Sequence, residues 1–314
     1  MPDILFRRIF RQKAMKHTVN PRPAPGGHHA EDVTDRIATR DGQLGLTLYP
    51  NSGAETIILL HGGPGVPTPM VEVAQILQAQ YQVIFFAQRG TGLSPCRKCS
   101  YDIPNYLDDL NAIADHFALD QFHIFGHSWG GLYAQIYAQE YPGRLRSVFL
   151  CSPSSGTNTD WQQTEQEVLQ YSKERTNQSE WLRMGWYSLL GLLGSDRAYQ
   201  HLFRQVLKNY HRGWTTVPPS EDVLKQIRAK PINQTRKAIL KYPSLRPITD
   251  LPFPLLIVYG DQDIYGASTA KLRDRYPAAT YQEIQNCGHI PWVHQPAAFR
   301  QILKDFYGLT TANE

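Results

Sequence analysis

Short apolar runs set the rhythm of this chain. Residues 56–60, 83–86, 122–125 and 147–150 are rich in β-branched, leucine or phenylalanine side chains and carry no acidic or cationic residue. Runs of four or five residues with this character are the mark of strands buried on both faces. Between them, residues 71–80, 106–117 and 132–141 recur at helical spacing. Such alternation predicts a mostly parallel central sheet with helices on both faces. After Cys151 the alternation stops, and 152–250 holds polar loops and helix-like segments without a convincing buried strand. Strand character returns at 255–259 and, in alternating form, at 279–284. The pattern therefore predicts an α/β core in two pieces, 31–151 and 251–314, with a helical cap inserted over 152–250.

The first 30 residues stand apart. Ile4-Leu5-Phe6-Arg7-Arg8-Ile9-Phe10-Arg11 mixes apolar and basic positions at roughly helical spacing, and 20–30 is rich in proline, glycine and histidine. Arginines interrupt the apolar run, unlike a secretory leader. The segment reads as a weakly docked extension followed by a linker, with a membrane-surface helix as the other reading.

Composition narrows the class without changing it. At 314 residues, 41% hydrophobic and 19% charged, the chain is an ordinary globular one. A formal net charge of +4 with no long basic run does not favour nucleic acid as a partner. No apolar stretch is long enough to span a bilayer, so no integral membrane segment is expected. The expected partner is a small-molecule or short-peptide substrate; the oligomeric state is left open. The expected compartment is the cytoplasm, with reduced thiols. Cys96-Arg97-Lys98-Cys99 is a C-x-x-C, readable as a local disulfide, half a metal site or, as favoured here, a packed loop. Cys151 and Cys287 are isolated, and the motifs call for neither metal nor cofactor.

The chemistry is written in the loops after the strands. Gly126-His127-Ser128-Trp129-Gly130 follows one buried run and opens a helical one. In that context G-x-S-x-G is a nucleophile elbow, with Ser128 exposed on a strained turn. His61-Gly62-Gly63-Pro64-Gly65 follows the 56–60 run. Its glycines let backbone approach a reacting carbonyl, and the oxyanion donors are expected to be the N–H groups of Gly63 and Trp129. The acid should follow the 255–259 run, where Asp261 and Asp263 compete; the spacing favours Asp263, with Asp261 as a turn cap. His289, in the loop after 279–284, has the order required of the general base, unlike His61, His127 or His294.

These motifs, with Gln88-Arg89-Gly90-Thr91-Gly92-Leu93-Ser94, resemble the α/β-hydrolases of the proline iminopeptidase group. The resemblance runs from about residue 32 to 151 and from about 251 to the end. It implies the α/β-hydrolase fold and puts Ser128, Asp263 and His289 on the family's triad positions, with Gly63 and Trp129 on its oxyanion positions. The acidic residue usual before Gln-Arg-Gly is Ala87 here.

Specificity should lie in the cap, which holds Trp161, Trp181, Trp186 and Trp214. The apolar-rich stretch 181–193 reads as cap core or as a pocket wall. Arg175, Arg183 and Arg204 are candidates to meet a substrate carboxylate. Three readings follow. One is an aminopeptidase, which needs cap carboxylates for the free amine, drawn from Glu165, Glu167, Glu174 and Glu180. The others are a carboxylic-ester hydrolase and a hydrolase-fold binding protein without chemistry.

Overall fold

The structure is a computed structural model that describes residues 33–96, 98–214 and 220–309. The N-terminal run at 4–11 and the linker at 20–30 lie outside these residues. Eight strands form one sheet: β1 (Val33–Ala38), β2 (Gln43–Tyr49), β3 (Thr56–Leu60), β4 (Gln82–Phe86), β5 (Phe122–His127), β6 (Leu145–Cys151), β7 (Leu255–Gly260) and β8 (Thr280–Ile284). Their order is β1-β2-β4-β3-β5-β6-β7-β8. From β4 to β8 every pairing is parallel, while β1 and β2 pair antiparallel at one edge. The alternation in the sequence did not reveal β1 and β2, which carry polar and glycine residues among their apolar ones.

Strand alternation splits the core in two. Ile58, Leu60, Ile84 and Ile124 face α2 (Ile103–His116) and α3 (Trp129–Glu140), while Ile57, Leu59, Val83 and Phe125 face α1 (Val71–Leu77) and α11 (Pro296–Tyr307). Because both faces are covered, residues 56–60 are all buried and read as a continuous apolar run.

Between β6 and β7 lie helices alone among the described residues: α4 (Thr159–Glu174), α5 (Gln178–Leu192), α6 (Asp196–Tyr210), α7 (Glu221–Lys225) and α8 (Ala229–Lys241). The chain then adds α9 (Ala270–Arg275) before β8 and α10 (Pro291–His294) after it. The 181–193 stretch departs from both sequence readings. Met184 is buried, but Leu182, Trp186, Leu189, Leu192 and Leu193 are exposed, Leu193 by 77%. Helix α5 packs by one narrow stripe and turns Leu182, Trp186, Leu189 and Leu192 outward, with Trp181, Tyr187 and Leu190 partly buried.

The C-x-x-C also differs from the loop of reduced thiols expected. Cys96 and Cys99 are joined by a disulfide, with Cα atoms 5.7 Å apart, a spacing that suits a bridge. Cys151 and Cys287 are free and buried.

Candidate active site

Ser128 sits between the end of β5 and the start of α3 with φ 56° and ψ −118°. A non-glycine residue at positive φ is costly and persists only where its surroundings over-determine it. Here they do. The Ser128 N–H donates to Cys151 O and its carbonyl accepts from Ser154 N–H, so the turn is laced to the end of β6. The flanking glycines let strand and helix touch. A Cβ on Gly130 would stand 2.0 Å from Leu60 O, and one on Gly126 would stand 2.5 Å from Gly130 O.

The two candidate oxyanion donors lie on converging elements. Trp129 is the first residue of α3, where backbone N–H groups lack helical partners. Gly63 lies at φ +120°, a conformation that suits glycine. A Cβ on its neighbour Gly62 would come 3.2 Å from Ser128 Cβ, which measures how close the loop runs to Ser128. No hydrogen bond among the described residues uses the N–H of Trp129 or Gly63.

The Gln-Arg-Gly motif holds this loop. Gln88 N–H donates to His61 Nε2 at 3.1 Å, Gln88 Nε2 donates to His61 O at 2.9 Å, and Trp129 Nε1 donates to Gln88 Oε1 at 2.8 Å. One glutamine thus ties the His61 loop to α3. With Nε2 accepting, the His61 proton resides on Nδ1, which donates to Gly62 O at 2.7 Å. Burial holds His61 down to about 4, so the ring is neutral. Arg89 forms a two-pronged pair with the buried Asp109 at 2.7 and 2.8 Å, anchoring the motif from below.

His289 follows β8 and meets Asp263, which follows β7. Their Nδ1 and Oδ1 atoms are 2.9 Å apart, and both side chains are almost fully buried. The imidazole therefore carries its proton on Nδ1, leaving Nε2 basic. Burial pushes the Asp263 carboxyl up, but the charge and hydrogen bond of His289 outweigh it and the net shift is downward. The Ser152 hydroxyl helps lower it without making a well-formed hydrogen bond, and Asp263 Oδ2 is left without one. Asp261 is turned elsewhere: its Oδ1 accepts from Cys287 N–H at 2.9 Å and shapes the loop that carries His289.

Ser128 Oγ does not bond to His289 here. It lies 3.1 Å from the hydroxyl of Tyr265, whose ring packs edge-on against His289 at 5.1 Å. Tyr210 of α6 also packs edge-on against the imidazole at 5.2 Å, and His127 lies 4.8 Å away. His127 Nε2 donates to His289 O at 2.8 Å; burial holds its pKa down to about 3. The sequence reading missed Tyr210, Tyr265 and Ser154. None lies in a motif, and only the fold brings 154, 210 and 265 to 128. His294, the other histidine nearby, accepts from Gly288 N–H and stacks on Trp214 at 4.1 Å.

The glutamates weighed for a substrate amine are all engaged. Glu165 pairs with Arg236 through two contacts, one of them 2.7 Å, and accepts from Trp161 Nε1. Glu167 holds Gly266 N–H, Ser268 N–H and the Ser268 hydroxyl at 2.6 to 2.8 Å. Glu174 accepts from Gln170, and Glu180 caps α5 and pairs with Lys208. Of the arginines, Arg204 pairs with Glu221 and Arg175 lies over the Tyr171 ring at 3.5 Å. Among the described residues no group of three or more metal-ligating side chains is assembled, and no helix is long and apolar enough to cross a membrane.

Comparison with known proteins agrees with this architecture. The proline iminopeptidase of Lactobacillus delbrueckii subsp. bulgaricus is 27% identical over 276 residues, covering 80% of this chain and 88% of that protein. Among solved structures, VinJ superposes with a TM-score of 0.68 at 16% identity, covering 88% of this chain and 98% of that one. Carboxylesterase CesB of Bacillus subtilis superposes with a TM-score of 0.60 at 16% identity, covering 89% and 93%. The family model described as alpha/beta hydrolase fold matches residues 55–293, well over half of the chain. The chain therefore belongs to the alpha/beta hydrolase fold family and is a hydrolase-type enzyme similar to the proline iminopeptidases.

Proposed function

We propose that this chain is a serine hydrolase working through an acyl-enzyme, and within that class an aminopeptidase of the proline iminopeptidase kind. The observation that carries the broad reading is the Ser128 elbow beside an ordered His289–Asp263 pair. His289 Nε2 takes the Ser128 proton as Oγ bonds to the substrate carbonyl carbon. The carbonyl π pair moves to oxygen, where the N–H groups of Gly63 and Trp129 receive the charge. The tetrahedral intermediate collapses, its carbon–leaving-group bond breaks, and His289 returns the proton to the departing group. Water then repeats the sequence on the ester and frees Ser128. Asp263 holds the imidazole and stabilises its charged form without taking a proton. The helical segment 152–250 serves as the cap, with Tyr210 shielding His289 and Trp161 packed on Trp129.

The aminopeptidase half rests on the relatives. A specific observation favours a second reading, a carboxylic-ester hydrolase: Glu165, Glu167, Glu174 and Glu180 all have other partners. Fluorophosphonate labelling tests the broad reading. The native chain should label, and Ser128→Ala should not. That variant should also lose on the order of 10⁶ in kcat without a change in melting. Labelling that persists in Ser128→Ala would overturn it. Proline p-nitroanilide, free and N-acetylated, against p-nitrophenyl esters decides the rest. Turnover of the free anilide alone supports the aminopeptidase; ester turnover with no anilide turnover replaces it with the esterase.

A further inference from the structure

Tyr265 is hydrogen-bonded to the candidate nucleophile, and the mechanism above does not use it. Its hydroxyl touches two serines: Ser128 Oγ at 3.1 Å and Ser154 Oγ at 2.8 Å. A single phenolic proton can be donated to only one of them, and the direction decides what Tyr265 does.

Ser154 settles it. The residue is fully buried, and among the described residues its hydroxyl has one hydrogen-bond partner, Tyr265. A buried hydroxyl proton without an acceptor costs about 1–3 kcal/mol. Ser154 therefore donates to the Tyr265 oxygen, and the Tyr265 proton is left for Ser128 Oγ. The Ser128 proton then has no acceptor among the described residues, but Ser128 keeps 7% exposure where Ser154 has none, so leaving it unpaired costs less and it is free for a base. In the opposite direction Ser128 would donate to Tyr265, Tyr265 to Ser154, and the Ser154 proton would be stranded.

The surroundings hold this order. Ser154 N–H donates to Ser128 O, and Ser154 O accepts from Gln135 Nε2. On the other side, Glu167 of α4 grips Gly266 N–H and Ser268 N–H, just after Tyr265 in the chain. Burial pushes the Tyr265 hydroxyl up to about 12, so it stays protonated across the working range.

We propose that Tyr265 is a further catalytic residue, a fixed donor to Ser128 Oγ aligned by Ser154. The idea rests on Ser128 being the nucleophile. When the Ser128 proton leaves for His289, negative charge builds on Oγ and the Tyr265 hydrogen bond strengthens. When the acyl-enzyme is cleaved and Oγ is expelled, the same donor receives the same charge. Tyr265 neither gains nor loses a proton in either step.

The test uses the full chain, p-nitrophenyl acetate and a fluorophosphonate. Tyr265→Phe should slow labelling and kcat by roughly 10- to 100-fold, as expected for losing one hydrogen bond to a group that gains charge. KM should stay within about twofold. The pH dependence of kcat/KM should keep its midpoints, because the bond lost is to Oγ and the ring that packs on His289 is retained; a tyrosine that acted by ring packing alone would leave the Tyr265→Phe rate unchanged. Ser154→Ala leaves the Tyr265 proton on Oγ and should slow the reaction by less. An unchanged or faster Tyr265→Phe, a displaced pH midpoint, or a Ser154→Ala as slow as Tyr265→Phe would each overturn the proposal. Labelling of Ser128→Ala would instead remove the nucleophile assignment beneath it, a result independent of the tyrosine variants.

Discussion

At the scale of single residues, charge and hydrogen bonds separate two neighbouring acids. Asp263 shares its Oδ1 with His289 Nδ1, while Asp261 holds the backbone of Cys287. The two should fail differently. Asp263→Asn should lose on the order of 10⁴ in kcat, because the amide favours the wrong imidazole tautomer, and should melt lower at neutral pH, because the stabilised ionised carboxyl is gone. Asp261→Asn should retain most activity and lose roughly 1 kcal/mol of stability through a weakened loop hydrogen bond. Paired kinetics and thermal melts of both variants check this, and a reversal of the two phenotypes would reassign the acid. Chain order made Ser128, Asp263 and His289 candidates together, because strand-following loops lie at one edge of a parallel sheet. It could not reveal Tyr265, whose partner Ser128 lies over a hundred residues away in a motif of its own.

At the scale of elements, close backbone contact explains the glycines and a narrow packing stripe explains the leucines. Gly130 has no room for a side chain, since the obstacle is the β3 carbonyl of Leu60 rather than a movable side chain. Gly130→Ala should cost about 3 kcal/mol or more in urea unfolding, at the upper end for overpacking. Helix α5 shows the opposite situation. Leu182 and Leu193 are 66% and 77% exposed, so Leu182→Gln and Leu193→Gln should change stability by no more than about 0.5 kcal/mol each. A larger loss in unfolding experiments would mean that these side chains are buried in solution. The apolar stretch 181–193 misled the sequence reading because hydrophobic content alone does not say which face of a helix finds a partner. The antiparallel strands β1 and β2 escaped it for a related reason: their apolar residues alternate with polar ones and lack the continuous run of the central parallel strands.

At the scale of the whole molecule, buried neutral histidines set the acid limit of the fold. His61 and His294 are held down to about 4 and His127 to about 3, each chiefly by burial. In the unfolded chain these rings take up protons below about 6.5. The unfolded state therefore binds more protons between about 6.5 and 4, and stability falls as the pH drops through that window. Asp263 contributes in a lower window. Its folded pKa is lowered, so its contribution is complete above about 3.9 and disappears as the pH falls through the folded value. Thermal melts at about pH 7, 5.5 and 4.5 should show a progressive decline, which His294→Gln should flatten in part. A midpoint constant over that range would contradict the neutral, buried assignment.

Local patterns carried the class of the fold and marked the loops in which Ser128, Asp263 and His289 became candidates. Buried parallel strands need continuous apolar runs, and tight strand-to-helix turns need glycines, so both leave local marks that survive without coordinates. Tertiary structure alone decided the rest. It set which glutamates were already engaged, which tyrosine touches Ser128, and which leucines face water. Those outcomes depend on contacts between residues far apart in the chain, and no local pattern records a partner that arrives only when the sheet and the helices between β6 and β7 come together.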